Sequence, residues 1–464
     1  MSKYLKSSNN FIYYFLVIIG ILTIFYQINF EDFWLDEMLS FWIADPDLSL
    51  EETIQRHKYD YHNPIFFNLA LKYFLDLFSY NPENARYLSF IFGSLFFLII
   101  GPITYQVKKD NTFLLTTLLA CLSIYTIKYS QEVRPYALLL VTSALNIYFF
   151  LKLINKAGNN KKDIILFIIF SVINYSTNPF SLIIFFSQIF FIFCKYILFK
   201  DKCIQFYISG LFICIFYLLF NFKYVLSQIA FDSYELSSDI INVLDGLYFP
   251  RFFGSKIMGY FYLLLLGFLI IKSRRKIFLE NNKYLFFVIL IFFSYSIPLA
   301  YGILNTPVLH DRYIIFILIP ILILISCLLK ELRNHYLRRV LILVLILLTV
   351  GNHFIEIFDR PKTKPEFKFV LNQIKKSDNN NIVLYNPRGT SIFIMNYLTN
   401  IRPDIEKELN FYEFKNLKEN VNSFWLICYM PEVNFNCKAI KEKNFNTIDK
   451  KKTRLVHAYL YKRQ

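Results

Sequence analysis

The chain has 464 residues, 56% of them hydrophobic, with a formal net charge of +16 and a mean hydropathy of +0.40. Only 18% are charged, against about 25% in soluble domains, so an ordinary soluble protein of two or three polar-surfaced domains is excluded. The Lys and Arg residues stand in short clusters between apolar runs, which is the pattern of membrane topology, so no nucleic-acid partner is expected.

In chain order, Lys3 and Lys6 precede an apolar run with no small-residue cleavage site after it, which reads as a retained first span at 11–29. Ten further spans are predicted at 87–106, 112–128, 135–152, 164–177, 180–198, 203–221, 257–272, 284–303, 313–329 and 338–354. Most approach the roughly 20 apolar residues that cross a ~30 Å hydrocarbon core. Segment 64–79 is also apolar but carries Lys72 and Asp76. It is expected to lie along the membrane surface as an amphipathic helix inside an outer loop at 30–86. If it spanned, the basic clusters after it would change sides.

Those clusters are Lys108 and Lys109; Lys152, Lys156, Lys161 and Lys162; Lys195, Lys200 and Lys202; Lys272, Arg274, Arg275 and Lys276; and Lys330, Arg333, Arg338 and Arg339. They occupy every second connector, so the positive-inside rule makes that face cytoplasmic. With eleven spans the chain then ends outside, together with loop 30–63, the turn at 129–135, loop 222–256 and the turn at 305–312. The tail differs in composition. Strands are expected near 381–385, 424–428 and 455–461, with helices at 365–374 and 391–398. The resulting expectation is a mainly α polytopic membrane protein: a transmembrane catalytic domain at 1–354 and a small soluble α/β domain at 355–464. Cys121, Cys194, Cys203, Cys214 and Cys327 lie in or beside spans as small hydrophobes. Cys428 and Cys437 stand in the tail, where an outside location would permit a disulfide.

Candidate chemistry gathers on the outer side. Phe33-Trp34-Leu35-Asp36-Glu37 opens a loop in which residues 30–60 hold nine acids against Arg56 and Lys58. A carboxylate there, close to the membrane and flanked by Trp34 and Leu35, gains basicity on desolvation and suits a general base. The plainer reading is a solvated acidic loop. Tyr129-Ser130-Gln131-Glu132-Val133-Arg134-Pro135-Tyr136 joins two spans. Ionisable groups at such a place are costly and so tend to be functional, and Arg134 can hold phosphate; the alternative is an ion pair capping the hairpin. His310-Asp311-Arg312-Tyr313 opens a late span, where Arg312 is either a phosphate contact or an interface anchor beside the belt residue Tyr313. Arg86 has the same two readings, and His62 before Asn63-Pro64 either starts the surface helix or joins the site. The chain has no P-loop, no dinucleotide glycine fingerprint and no HExxH motif, and no acidic or His relay runs through its spans. An enzyme acting at the membrane surface on a lipid-borne substrate fits better than a pump.

Together the acidic pair after the first span, the His-x-Pro element, the Tyr-Ser-Gln-Glu-x-Arg-Pro-Tyr turn and the late Arg-Tyr resemble the GT-C superfamily. The chain is similar to bacterial relatives of protein O-mannosyltransferases and of lipid A aminoarabinose transferases, most clearly over 11–155 and again at 310–313. Where the family often has His-Pro-Pro, Asn63 stands in place of the first Pro. The resemblance implies inverting sugar transfer from a polyprenyl-phosphate donor to a lipid, glycan or protein acceptor, on the outer face of a bacterial cytoplasmic (inner) membrane. It further implies Asp36 as general base with Glu37 beside it. Tyr129, Glu132, Arg134, Tyr136, His62, Arg86, Arg312 and Tyr313 would bind substrate, with Arg134 or Arg312 on the donor phosphate. Some members use a divalent metal, but the side chains of adjacent Asp36 and Glu37 do not converge, so no metal ligand is assigned. The rivals are a glycan ligase or polymerase on the same scaffold and a flippase for lipid-linked sugar.

Overall fold

The computed structural model describes residues 7–60, 63–155, 161–199, 206, 209–216, 252–274, 282–304, 308–360, 362–376, 382–385, 391–401, 410–413, 421–429 and 445–463. By length and composition, six described helical segments qualify to cross a membrane: Pro82–Val107, Tyr136–Ile154, Pro179–Ile197, Lys283–Leu304, Asp311–Glu331 and His335–Phe358. Every predicted span except 203–221 falls on a described helix or helix pair; of 203–221, only 206 and 209–216 are described, and they are helical. The count of eleven therefore rests partly on shorter helices, such as the 17-residue Lys161–Thr177 and Lys256–Lys272.

In chain order the elements that place the site are α1 (Ser7–Phe25), α2 (Leu35–Ile43), α3 (Leu50–His57), α4 (Phe66–Phe78), α5 (Pro82–Val107), α6 (Thr112–Cys121), α7 (Ile124–Ser130) and α8 (Tyr136–Ile154). They are followed by α9 (Lys161–Thr177), α10 (Leu182–Phe199), α11 (Lys256–Lys272), α12 (Asn282–Leu304), a 3-10 turn at Asp311–Ile317, α13 (Leu318–Glu331) and α14 (His335–Phe358).

The expected span 112–128 is broken, with α6 and α7 meeting at 55°. Ser123 caps the new helix by accepting from Thr126 N, and the Leu122 carbonyl freed at the break accepts from His353 Nδ1 at 3.1 Å. A backbone group at membrane depth needs such a partner. Close packing then fixes α7 against α5, since a Cβ added at Gly93 would collide with Ser130 Oγ. Deeper in the bundle, Thr142 and Ser143 donate to Asn174, Asn146 donates to Ser171, and Gln188 donates to Asn146, tying α8 to α9 and α10 by uncharged hydrogen bonds.

The acidic outer loop is folded. Helix α4 covers the segment expected as a surface helix and leaves Phe66, Tyr73, Leu77 and Phe78 exposed. Lys72 is on its buried side, where Nζ donates to the carbonyls of Asp45, Pro46 and Leu48 at 2.7, 2.9 and 2.7 Å. These are the carbonyls after α2, so Lys72 ends the helix that carries Asp36 and Glu37. Lys72→Met is expected to lower stability by about 1.5–3 kcal/mol, the worth of hydrogen bonds to a charged donor, read as a lower unfolding midpoint.

The tail forms α15 (Phe367–Lys375), β1 (Ile382–Tyr385), α16 (Ser391–Asn400), β2 (Asn410–Glu413), β3 (Ser423–Tyr429), β4 (Phe445–Lys452) and β5 (Val456–Arg463). The sheet order is β2-β1-β3-β5-β4; β1 is parallel to β2 and β3, while β5 is antiparallel to β3 and β4. Strands β2 and β4 were not expected from the sequence. Phe367, Val370, Leu371 and Ile374 of α15 are buried with Trp425, Ile427, Val456, Ala458 and Leu460 of the sheet. Cys428 is disulfide-bonded, while Cys437 lies outside the described residues.

Candidate active site at one end of the bundle

The ends of α1 and α7, the starts of α5 and α8, and the 3-10 turn at Asp311 meet at one end of the bundle, and α2 lies across them. Asp36 and Glu37 are neighbours in the first turn of α2, yet they face different surroundings. Asp36 keeps 30% side-chain exposure, and Arg312 Nη1 lies 3.5 Å from its Oδ2. Glu37 is fully buried: Oε1 accepts from Val133 N at 3.0 Å, and Oε2 accepts from Lys364 Nζ at 2.7 Å. It also accepts from Trp34 N at 3.3 Å, and Arg86 Nε lies 3.7 Å away. Glu37, which the resemblance implied as the catalytic neighbour of Asp36, is thus a fastening between α2, the 131–134 turn and the tail. Burial pushes its carboxyl up, but Lys364 and Arg86 together hold it below the ordinary carboxylate range.

The basic candidates also divide. The Arg134 fork grips the Asp60 carboxylate at 3.0 and 3.3 Å and reaches Ser40 Oγ and the Asp36 carbonyl. Arg86 is buried, donates to the Ile28 carbonyl at 3.0 Å and lies over the Phe33 ring. Both arginines, for which a phosphate contact was one of two readings, are held in buried pairs. Arg312 is placed differently: its guanidinium stands among the rings of Trp34, Tyr136 and Tyr313 at 5.2, 5.9 and 5.4 Å, with 18% side-chain exposure. Trp34 Nε1, Tyr136 Oη and Arg312 Nε have no hydrogen-bond partner among the described residues. Tyr129 packs edge-on against Tyr136 at 5.0 Å, and Tyr313 lies 5.1 Å from Phe180 and 5.5 Å from the ring of His310. His62 lies outside the described residues.

Glu132 is buried and pairs with Lys364 at 3.4 Å. Lys364 therefore sits between two buried carboxylates. It belongs to a strap after α14 that is fastened repeatedly to the α1–α2 junction. Arg360 donates to Glu31 and to Gln131, both at 2.7 Å, and Thr363 N donates to Glu31 at 2.7 Å. Lys368 N donates to Asp32 at 2.7 Å. Asp60, Glu31, Arg360 and Lys364 were not singled out from the sequence. One signal pointed toward them: an outer loop with nine acids and two bases needs cations from elsewhere once it folds. Among the described residues, no three His, Cys, Asp or Glu side chains are grouped to hold a metal ion.

No protein-family model and no curated protein matches this sequence. Solved structures do. ArnT from Cupriavidus metallidurans bound to undecaprenyl phosphate aligns at a TM-score of 0.52 with 10% identity, over 86% of this chain and 88% of that one. The Archaeoglobus fulgidus oligosaccharyltransferase tethered to an acceptor peptide aligns at 0.53 with 10% identity, over 99% and 74%. The oligosaccharyltransferase AglB from Archaeoglobus fulgidus, in complex with an inhibitory peptide and a dolichol-phosphate, aligns at 0.51 with 8% identity, over 98% and 74%. With several membrane-length helices and a mixed sheet at its C-terminal end, this chain is a multi-pass membrane protein with the fold of the GT-C glycosyltransferases.

Proposed function

We propose that the protein is a glycosyltransferase that moves a sugar from a polyprenyl-phosphate donor to an acceptor hydroxyl, with inversion, on the extracytoplasmic face. The observation that carries the reading is the opposition of Asp36 and Arg312 across 3.5 Å, with neither side chain closed in by the buried pairs around them. Asp36 takes the acceptor proton as the hydroxyl oxygen attacks the anomeric carbon. The bond from that carbon to the phosphate oxygen breaks, and the electron pair leaves with the prenyl phosphate. Arg312 offsets the charge gathering on that phosphate, while Trp34 Nε1 and Tyr136 Oη offer further donors beside it. A phosphate that shares Arg312 draws it from Asp36 and leaves the carboxylate to the acceptor. Tyr313 and Tyr129 shape the aromatic wall, and Glu37, Glu132, Arg86 and Arg134 hold the backbone that presents Asp36.

In this reading the basic connectors face the cytoplasm and the membrane domain at 1–354 carries the chemistry. The domain at 355–464 stands outside, where a disulfide at Cys428 is at home. Arg312→Gln tests the donor side. Retention of radiolabelled undecaprenyl phosphate by the purified variant is expected to weaken by about 10–100-fold, the worth of charge-assisted hydrogen bonds. Unchanged retention would remove Arg312 from the donor phosphate.

A further inference from the structure

Of the four residues His310-Asp311-Arg312-Tyr313, sugar transfer draws on Arg312 for the leaving phosphate and on Tyr313 for the wall of the site. Asp311 is turned into the bundle. It is buried, and the hydroxyl of Tyr125 on α7 donates to it. Tyr125 is itself buried and packs edge-on against Phe252 at 4.7 Å. Asp311 Oδ1 accepts from Arg312 N at 2.9 Å and lies 2.5 Å from His310 Nδ1. A carboxylate anchored from its own turn and from a neighbouring helix fixes the imidazole beside it. His310 keeps 28% side-chain exposure against 9% for Asp311, and Nε2 lies across the ring from the nitrogen tied to the carboxylate.

His310 also borders the same ring as Arg312. Its centroid is 5.5 Å from that of Tyr313, and the Arg312 guanidinium is 5.4 Å from Tyr313. The carboxylate decides what the imidazole offers there. Because Asp311 accepts, the proton of the neutral ring sits on Nδ1 and the lone pair on Nε2; only the protonated ring has an N–H at Nε2. A lone pair repels a phosphate oxygen, whereas a charged N–H binds one with about twice the strength of a neutral donor.

We propose that His310 is a second donor to the prenyl phosphate beside Arg312, through Nε2–H of the protonated ring, and that it makes retention of the lipid depend on pH. The inference rests on the transferase reading above and adds a residue to its phosphate side. An Asp–His pair can also serve as a base, with Nε2 taking a proton. The placement favours the phosphate, since His310 shares the Tyr313 ring with Arg312 and Asp36 lies across Arg312 from it. Among the described residues, the other titratable groups within electrostatic reach of Asp311 are Tyr125 and Tyr129 of α7 and Tyr295 of α12.

The test measures retention of radiolabelled undecaprenyl phosphate by the purified full chain between pH ~5.5 and ~9, the range that brackets histidine titration. Wild type is compared with H310Q, H310K and H335Q, the last at an exposed histidine that opens α14. The second ionisation of the phosphate, near ~6, is common to all four proteins. Wild type should retain the lipid about tenfold more strongly than H310Q in acid, and the ratio should fall to within about twofold at the alkaline end. H310K keeps a cation throughout and should exceed H310Q at the alkaline end; H335Q should follow wild type everywhere. Equal retention by wild type and H310Q overturns the inference alone. So does a deficit shared by H310Q and H310K that is the same at every pH, which marks a structural role. H310Q that retains the lipid normally but transfers no label would make His310 a base instead. Wild type that retains no undecaprenyl phosphate at any pH would overturn the donor reading together with this one.

Discussion

Asp36→Asn is expected to lower sugar transfer by about 10²–10⁴-fold, the usual contribution of a positioned general base, while the protein stays folded and still holds prenyl phosphate. The amide has the shape of the carboxylate but cannot take the acceptor proton. The fold has little reason to notice the change. Asp36 contributes its carbonyl to Arg134 at 3.2 Å, and that bond is untouched. The attachment of α2 runs through Glu37 and through Lys72 at its far end. The loss should fall on kcat, with the donor KM little changed. Transfer at the wild-type rate by a folded Asp36→Asn protein would move the base elsewhere, with Glu132 the next carboxylate to test.

Lys364→Met is expected to be the most damaging single change outside the reacting groups. It leaves Glu37 and Glu132 buried with Arg86 as the nearest remaining cation, at 3.7 Å from Glu37. Removing one partner of a buried pair typically costs ~3–5 kcal/mol, because an uncompensated charge remains. Since Lys364 is 9% exposed, little solvent can step in. Activity should fall with stability, because the first turn of α2 carries Asp36. The double change Lys364→Met with Glu132→Gln restores the charge balance around Glu37 and should recover a large part of the lost stability. Failure to recover would make Lys364 more than a counter-charge.

The pH dependence follows the same pairings. Glu31 and Glu37 are both held below the ordinary carboxylate value: burial raises each, and Arg360 with Lys364 for Glu31, or Lys364 with Arg86 for Glu37, outweighs it. A depressed carboxylate contributes stability that is fully present above its unfolded value near ~4.3 and is lost as pH falls through the folded value. Wild-type unfolding midpoints should therefore be level near neutrality and decline in acid. In Lys364→Met, which removes a charge that lowers both carboxyls, the midpoint near neutrality should already be reduced and the further decline in acid should be smaller than in wild type.

The helices of the bundle were legible because a membrane leaves few choices, and apolar length marks a span. The break between α6 and α7 was not legible, because it depends on His353 reaching the Leu122 carbonyl from a helix far along the chain. The same limit applies to the site. Asp36, Arg312 and the 129–136 turn stand out by residue type and by position beside spans. What Arg134 and Arg86 do depends on Asp60 and Glu37, and what Glu37 does depends on Lys364, which is 327 residues away in sequence. An arginine at the end of a hydrophobic helix reads the same whether it waits for a phosphate or is already paired. Strand β4 escaped notice because Phe445-Asn446-Thr447-Ile448-Asp449-Lys450-Lys451-Lys452 has the polar composition of an edge, with a bulge between Thr447 and Asp449 that breaks its alternation.

Every role proposed for these side chains depends on sugar transfer from a lipid-phosphate donor. The most direct measurement incubates the purified wild-type protein with a panel of radiolabelled polyprenyl-phosphate sugars and a membrane extract as acceptor pool. Label from at least one donor is expected to appear in a non-prenyl product, with free prenyl phosphate released in equal amount. Folded protein that retains undecaprenyl phosphate but moves no label from any donor would contradict it and favour carriage of a lipid-linked sugar without chemistry.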